Sequence, residues 1–136
     1  MTIRSKKDLE LILSQLKQFD RPSLQLEQYP TPSNIAAEWV WSMALKGEVA
    51  GKVILDAACG TGILGIGLLL MGAKKVFFAD KSQEAMRICR KNYNKIKEEY
   101  EISQAEFIIN DISLVDISLF EQPVDIAVQN PPFGTK

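Results

Sequence analysis

The stretch Lys52-Val53-Ile54-Leu55-Asp56-Ala57-Ala58-Cys59-Gly60-Thr61-Gly62 predicts a strand, a turn and the start of a helix. Its first five residues are mostly apolar, with β-branched side chains, which predicts a short buried strand. Its last five residues, named the glycine turn (residues 58–62), lead directly into an apolar helix predicted over residues 63–71. Gly60 and Gly62 permit a tight turn and a close approach between the backbone and a ligand.

The same pattern continues toward the carboxyl terminus. We predict a second strand at Lys75–Asp80, a helix at residues 82–100, a third strand at residues 106–111 and a fourth at residues 125–129. Strands that alternate with helices are typical of a parallel sheet with right-handed crossovers. We therefore expect an α/β protein with a mostly parallel sheet and flanking helices.

Two helices are predicted before the first strand. The first begins at a capping box of Ser5 and Asp8 and ends at Arg21-Pro22. Its apolar residues recur at helical spacing and should dock on a core: Leu9, Ile12, Leu13, Leu16 and Phe19. Ser33 can cap the second helix. Trp39 and Trp41 in that helix are more typical of core and flank than of ligand contacts.

The composition limits the possible functions. The chain has 136 residues, of which 46% are hydrophobic, and a formal net charge of −1. These values indicate one globular domain without the basic excess that is typical of nucleic-acid-binding domains. Two cysteines and no histidine argue against a disulfide scaffold and most metal sites, so no metal is predicted. The longest apolar stretch, residues 63–73, is too short to span a bilayer. We expect a soluble, cytoplasmic protein without membrane contact.

Acidic residues end three of the predicted strands: Asp56, Asp80 and Asp111. The carboxyl ends of parallel strands meet at one edge, where open α/β sheets bind ligands. Asp80 occupies the position from which a carboxylate reaches ribose hydroxyls. Asp111, with the amide of Ile112 beside it, could accept the amino group of adenine, or it could only cap the segment that follows. The pattern predicts a nucleoside-containing cofactor, although the full dinucleotide pattern G-x-G-x-x-G is absent.

The tetrad Asn130-Pro131-Pro132-Phe133 follows the fourth predicted strand. Two consecutive prolines end a strand ladder, so the tetrad could be only a strand terminator with a capping aromatic. It also brings a side-chain acceptor, free carbonyl oxygens and a flat aromatic face to the edge that carries the three acids. This combination suits a planar ring with an exocyclic NH2 group, such as adenine.

The glycine turn, Asp80, Asp111 and the tetrad resemble class I S-adenosylmethionine-dependent methyltransferases of the type that methylates amino groups. The blocks Leu26-Glu27-Gln28-Tyr29-Pro30-Thr31 and Asn130-Pro131-Pro132-Phe133-Gly134-Thr135-Lys136 are similar to those of the small ribosomal-RNA N6-adenine methyltransferases, the methyltransferase-like protein five family. The resemblance implies one Rossmann-like domain over residues 1–136, with a helical part at 1–50 and the Rossmann-like part at 51–136.

The resemblance also implies the site residues. The catalytic residues would be Asn130, Pro131, Pro132 and Phe133. The residues that bind S-adenosyl-L-methionine would be Gln28, Thr31, Asp56, Ala58, Gly60, Thr61, Gly62, Ile63, Asp80, Asp111 and Ile112. Ala58 stands where the family usually has glycine. Because alanine is comfortable only at negative φ, we expect the turn to pack slightly differently there.

Members of the family continue with further strands after the tetrad. We therefore expect a sheet truncated after the fourth strand, with an open edge that can pair with a second copy of the chain. The resemblance implies RNA, in particular ribosomal RNA, as a partner, together with a small zinc-binding activator subunit.

The reaction that the resemblance implies is methylation of adenine N6 in RNA. Asn130 and the Pro131 carbonyl would accept hydrogen bonds from the amino group, and Phe133 would stack on the base. No strong general base would be needed, in agreement with a chain that lacks histidine. Two alternatives stay open. One is methylation of a protein glutamine amide by a similar tetrad, usually with Tyr in place of Phe133. The other is a cofactor-binding module without catalysis.

Overall fold

A four-stranded parallel sheet forms the centre of the protein. The computed structural model describes residues 3–19 and 31–129, so Gln28 and the tetrad at 130–133 lie outside the described residues. The strands are β1 Val53–Ala57, β2 Lys75–Asp80, β3 Gln104–Ile109 and β4 Ile126–Gln129. Their order in the sheet is β3-β2-β1-β4, and every pairing is parallel. The predicted α/β architecture with a parallel sheet is confirmed.

Four helices and two short 3-10 turns accompany the sheet. The helices are α1 Lys6–Leu13, α2 Ser33–Leu45, α3 Ile63–Leu70 and α4 Gln83–Glu99. The 3-10 turns span Ile112–Leu114 and Ile117–Leu119. β2 has the predicted bounds, whereas β3 lies two residues earlier than predicted. Asp111 therefore follows the third strand instead of ending it.

The first helix is shorter than predicted and ends at Leu13. Beyond it, the backbone N–H of Lys17 donates to Oδ1 of Asn92 at 2.9 Å, and the Lys17 carbonyl accepts from Nδ2 of Asn92 at 2.9 Å. Both backbone polar groups of Lys17 are thus paired with α4, and a longer α1 would break these hydrogen bonds. Leu16 lies beyond the end of α1 and is still buried in the core.

The two amino-terminal helices begin differently. Ser5 caps α1 as predicted, since its side chain accepts the backbone N–H of Asp8 at 3.1 Å. Ser33 does not cap α2, because it is the first residue of the helix. Pro32 occupies the cap position, without a side-chain hydrogen bond. Trp39 and Trp41 are half-buried against the core, in agreement with the expected structural role.

The two faces of the sheet are covered unequally. Side chains from all four helices pack on one face around a large cluster that includes Leu9, Val40, Phe78 and Met86. The opposite face carries a smaller cluster: Val53, Leu55, Ala57, Phe77 and Ala79, with Phe120 and Val124 packed against it. The central strands β1 and β2 are therefore buried on both faces. This burial fixes the ends of these strands in space.

The helix α3 is apolar on all sides because it lies buried in the core. Two of its glycines allow close packing: a Cβ on Gly65 would lie 2.3 Å from the ring of Phe78, and one on Gly67 would lie 3.1 Å from Val40 Cγ2. At eight residues α3 is a short core helix. Within residues 3–19 and 31–129, no helix is long and apolar enough to cross a membrane.

Candidate functional site

The carboxyl ends of the central strands form one edge of the sheet, named the carboxyl rim. At this rim Ala57 of β1 is in register with Ala79 of β2 and with Gln129 of β4. The glycine turn follows Ala57 directly, and Asp80 follows Ala79. The parallel register therefore brings the glycine turn, Asp80 and the residue before the tetrad to the same rim, as predicted from the sequence.

The carboxylate of Asp80 organises the rim. Its Oδ2 accepts the backbone N–H of Gly60 at 2.8 Å, and its Oδ1 accepts the backbone N–H of Ser82 at 2.9 Å. Asp80 thus joins the turn after β1 to the start of α4. A carboxylate oxygen can accept more than one hydrogen bond. Both oxygens of this half-buried group therefore retain lone pairs that can accept the hydroxyls of a sugar.

Ala58 adopts a left-handed backbone conformation, with φ at +56°. This conformation is typical of glycine and costs other residues about 1–2 kcal/mol. The alanine is therefore accommodated with backbone strain, and φ does not move to the negative region that alanine prefers. The neighbouring bond from the Cys59 N–H to the Ala79 carbonyl, at 2.8 Å, ties this strained turn to β2.

The two glycines of the turn have different surroundings. Gly60, with φ at +57°, has no described atom within 4 Å of the position that a Cβ would occupy. A Cβ on Gly62, with φ at +90°, would lie 2.6 Å from Cys89 Sγ. Gly62 is thus required by packing, whereas Gly60 borders open space next to Asp80. This arrangement fits a ligand that has two adjacent hydroxyl groups. The hydroxyls would donate to Asp80, and the rest of the ligand would lie in the open space over Gly60.

Asp56 lies beneath the glycine turn. Its side chain is only 2% exposed, and its Oδ2 accepts the backbone N–H of Gly65 at 3.0 Å. Burial raises the pKa of Asp56 to about 7, the Asp80 charge adds to the rise, and the Gly65 hydrogen bond opposes it. Asp56 therefore supports the first turn of α3 from below, while Ile63, the buried first residue of that helix, packs in the core.

Asp111 is fully exposed beyond β3. Its Oδ1 accepts the backbone N–H of Ser113 at 2.9 Å and the hydroxyl of Ser113 at 2.8 Å, and these bonds lower the pKa of Asp111. The carboxylate thus makes the capping contact considered as an alternative. The N–H of Asn110 donates to the Asp80 carbonyl at 2.9 Å, so the chain remains beside β2 as it approaches Asp111. Ile112 begins the first 3-10 turn.

Two residues not predicted from the sequence, Gln18 and Asn92, hold the glycine turn. The hydroxyl of Thr61 donates to Gln18 Oε1 at 3.0 Å, and the Thr61 carbonyl accepts from Asn92 Nδ2 at 2.9 Å. Thr61 and Asn92 are both buried. Asn92 does leave a sequence signal, because it is a polar residue in the buried stripe of α4 that contains Cys89 and Ile96. Thr31, by contrast, is half-buried just before α2.

Cys59 of the glycine turn and Cys89 of α4 are both free, buried thiols. The hydrogen bond between Cys59 and Cys89, together with burial, raises the pKa of the Cys59 thiol above its ordinary value. The thiolate is the form that binds metals and attacks electrophiles, so Cys59 is held in its inert form. Within the described ranges, no group of three or more His, Cys, Asp or Glu residues could hold a metal ion.

Comparison with known proteins identifies the family. The sequence profile of the methyltransferase small domain matches residues 40–136. The chain belongs to this methyltransferase family. The Danio rerio rRNA N(6)-adenosine-methyltransferase METTL5 is 32% identical over 96% of this chain and 61% of its own length. The Drosophila melanogaster rRNA N(6)-adenosine-methyltransferase Mettl5 is 34% identical over 94% of this chain and 59% of its own length.

Solved structures of methyltransferase-fold proteins agree with this assignment. A crystal structure from Pyrococcus horikoshii matches with a TM-score of 0.78 at 39% identity, over 96% of this chain and 61% of that one. The magnesium protoporphyrin IX methyltransferase of Synechocystis, solved with bound SAH, shares the fold with a TM-score of 0.55 at 21% identity, over 69% of this chain and 39% of that one. The predicted class I methyltransferase fold, whose cofactor is S-adenosylmethionine, is confirmed.

The extent of these matches differs among the relatives. This chain spans about three fifths of the length of the rRNA methyltransferases that it matches, 61% and 59%. A ribosomal protein L11 methyltransferase of Acinetobacter baumannii is 43% identical, but over only 35% of this chain and 16% of its own length. The likeness to RNA methyltransferases thus covers most of the chain, whereas the likeness to this protein methyltransferase covers about a third.

Replacing Ala58 with glycine should stabilise the protein. Removing the left-handed strain gains about 1–2 kcal/mol, and the greater freedom of glycine in the unfolded chain costs about 0.4–1 kcal/mol. We expect the free energy of unfolding, measured by urea denaturation, to rise by about 0.5–1 kcal/mol. Ala57→Gly, one residue earlier within β1, is the control and should lower it by about 1 kcal/mol. A loss of stability in both variants would contradict the strain.

The raised pKa of Asp56 should make stability depend on pH. The unfolded carboxyl ionises near its ordinary value of 3.8, but the folded carboxyl ionises only near about 7. The free energy of unfolding should therefore keep its full value below pH 4 and fall as the pH rises through 7. The total loss is about 4 kcal/mol, at about 1.36 kcal/mol per pKa unit. Asp56→Asn, which can still accept the Gly65 N–H, should remove this loss.

Urea denaturation of wild type and Asp56→Asn between pH 4 and pH 8.5 measures the effect. The two proteins should be similar near pH 4, and the variant should be the more stable one at pH 8.5. Glu101→Gln, which removes an exposed carboxylate just after α4, should follow the wild-type curve. A stability difference between Asp56→Asn and wild type that does not change with pH would contradict the assignment.

Proposed function

We propose that this protein binds S-adenosyl-L-methionine at the carboxyl rim and methylates adenine N6 in ribosomal RNA. The observation that carries the proposal is the register between β4 and β1. Gln129 pairs with Ala57, and each is followed immediately by a functional motif: the tetrad after Gln129 and the glycine turn after Ala57. The amino-methylation motif and the cofactor turn thus leave adjacent strands at the same level. The family match and the names of the two rRNA methyltransferases support this proposal.

The cofactor would lie across the rim in the order of the strands. Asp80, held by two backbone N–H groups, would accept the ribose hydroxyls. Asp111 and the backbone of Ile112, beyond β3, would frame the adenine. The open space over Gly60 would receive the group attached to the ribose. Gln28 and Thr31 complete the proposed set from the segment before α2. The remaining members of the set (Asp56, Ala58, Thr61, Gly62 and Ile63) would shape the turn.

The tetrad would position the acceptor nitrogen. The N6 lone pair of adenine is delocalised into the ring and attacks poorly. Hydrogen bonds from the two amino hydrogens to the Asn130 side chain and the Pro131 carbonyl would return electron density to nitrogen. Pro132 would keep this backbone rigid, and Phe133 would stack on the base at about 1–3 kcal/mol. When bound, S-adenosylmethionine supplies a methyl group that is already electrophilic, so orientation carries most of the catalysis.

The choice of RNA over a protein substrate depends on the relatives. The rRNA N(6)-adenosine-methyltransferases match nearly the whole chain, whereas the protein methyltransferase matches about a third of it. Phe133 also differs from the tyrosine that is more usual in glutamine methyltransferases. The proposed reaction needs no strong general base, which suits a sequence without histidine. A protein glutamine amide is therefore the second candidate, and both substrates belong in one assay.

The proposed partners are ribosomal RNA and a zinc-binding activator subunit. Exposed cations on α4 offer a surface for phosphates: Arg87, Arg90, Lys91, Lys95 and Lys97. Self-association also stays a prediction. β4 pairs with β1 along one side, and no other described strand pairs with it. A groove of about 680 Å³ between α2 and β4 adjoins this edge, where a further strand or a second copy could add to the sheet.

Asn130→Ala should abolish methyl transfer and leave cofactor affinity nearly unchanged, because Asn130 would contact the substrate amino group only. We expect the transfer of labelled methyl to an adenosine-containing rRNA fragment to fall about 100-fold or more. Affinity for S-adenosylhomocysteine, measured by calorimetry, should stay within about twofold.

Gln129→Ala is the matched control, since Gln129 is exposed at the end of β4 and lies outside the tetrad. It should retain most of the transfer activity. Substantial turnover by Asn130→Ala would remove Asn130 from the proposed role. Transfer to a glutamine peptide but not to RNA in the wild type would favour the second candidate function.

A further inference from the structure

The segment after α1 is attached to the glycine turn by buried hydrogen bonds. The side chain of Asn92, 2% exposed, makes three bonds of 2.9 Å: two to the backbone of Lys17 and one to the carbonyl of Thr61. A buried carboxamide is costly unless its polar atoms are paired, and here they pair with two segments far apart in sequence. The backbone next to Gln18 is therefore fixed relative to the turn.

Gln18 and Thr61 present complementary polar atoms at this place. The Thr61 hydroxyl donates a hydrogen bond to Gln18 Oε1 at 3.0 Å. The hydroxyl oxygen therefore keeps lone pairs that can accept a hydrogen bond. The side-chain nitrogen of Gln18 has two N–H groups, and neither donates to any group in the part of the chain that the structure describes. An acceptor next to two free donors suits a ligand that carries an ammonium and a carboxylate on one carbon.

The strand order places these atoms beside one end of the proposed cofactor. The strands lie side by side in the order β3, β2, β1. Adenine beyond β3 and ribose on Asp80 would direct the 5′ substituent of the ribose toward the turn after β1. In S-adenosylmethionine this substituent ends in an α-amino acid. Gln18 and Thr61 lie at that turn.

We infer that Gln18 recognises the α-amino acid end of the cofactor, donating to its carboxylate beside the Thr61 hydroxyl, and that Asn92 is the residue that positions Gln18. This inference rests on the proposed function, because it assumes that S-adenosylmethionine binds at the carboxyl rim. It extends the proposed cofactor site by one residue, from the segment after α1, that binds the amino acid end of the ligand. The nucleoside would be read separately by Asp80 and Asp111.

Two ligands separate this role from a structural one. S-adenosylhomocysteine carries the α-amino acid, whereas 5′-methylthioadenosine has the same nucleoside and lacks it. Calorimetry on the 136-residue chain should show that Gln18→Ala lowers the affinity for S-adenosylhomocysteine about 10- to 100-fold, as expected for a lost hydrogen bond to a charged group. Its affinity for 5′-methylthioadenosine should stay within about twofold. Gln18→Glu should weaken S-adenosylhomocysteine at least as much, because it places a negative charge against the carboxylate.

Matched controls lie in the same elements. Gln15→Ala changes an exposed glutamine of the same segment and should leave both affinities unchanged. Asn92→Ala should reduce the preference for S-adenosylhomocysteine in the same direction as Gln18→Ala, whereas Asn94→Ala, on the exposed side of α4, should not. If Asn92→Ala does not fold, the two Gln18 variants decide the inference alone.

The outcomes distinguish the inference from the proposed function. Equal weakening of both ligands by Gln18→Ala, or no weakening of either, would overturn the inference while the proposed cofactor site stands. A wild-type chain that binds neither ligand would overturn the proposed function itself. A selective loss of affinity for S-adenosylhomocysteine in Gln18→Ala would support both the inference and the proposed function.

Discussion

The Asp80 carboxylate fixes the geometry of the site through two backbone hydrogen bonds. The two oxygens hold the N–H groups of Gly60 and Ser82, so one side chain fixes the turn after β1 against the start of α4. β1 and β2 are buried on both faces and pair with each other as far as Ala57 and Ala79, directly before the turn and Asp80. Asp80 thus has a structural task in addition to the sugar-binding role proposed for it, and its loss would disturb the turn as well as the ligand.

Unfavourable features of the fold are concentrated beneath this carboxylate. Ala58 is held at φ +56°, and both Asp56 and Asn92 are polar side chains that are only 2% exposed. Each costs free energy in isolation. Each also fixes a different part of the glycine turn: its backbone conformation, the helix that follows it, and the segment from α1 that covers it. Strain and buried polar groups at one place are typical of functional sites.

The sequence predicts the features that depend on neighbouring residues and fails where distant contacts decide. The bounds of β2 follow from its buried run of apolar residues, and the positive φ values of Gly60 and Gly62 follow from the residue type. The end of α1 was predicted wrongly because the side chain of Asn92, 75 positions from Lys17, forms hydrogen bonds with the backbone N–H and carbonyl of Lys17. β3 is an edge strand that is only partly buried, so its apolar pattern locates its bounds poorly. Gln18 is one of many polar residues in the sequence, and only the fold brings it to Thr61.

Backbone amide chemical shifts during a titration with S-adenosylhomocysteine would locate the cofactor site residue by residue. We predict that the largest shifts fall on residues 59–62, 80–82 and 110–113, which lie along the carboxyl rim in the order of strands β1, β2 and β3. Residues at the opposite edge of the sheet, such as Lys52, Lys74 and Gln104, should change little. Shifts concentrated at that opposite edge, or in the groove between α2 and β4, would contradict a cofactor site at the carboxyl rim.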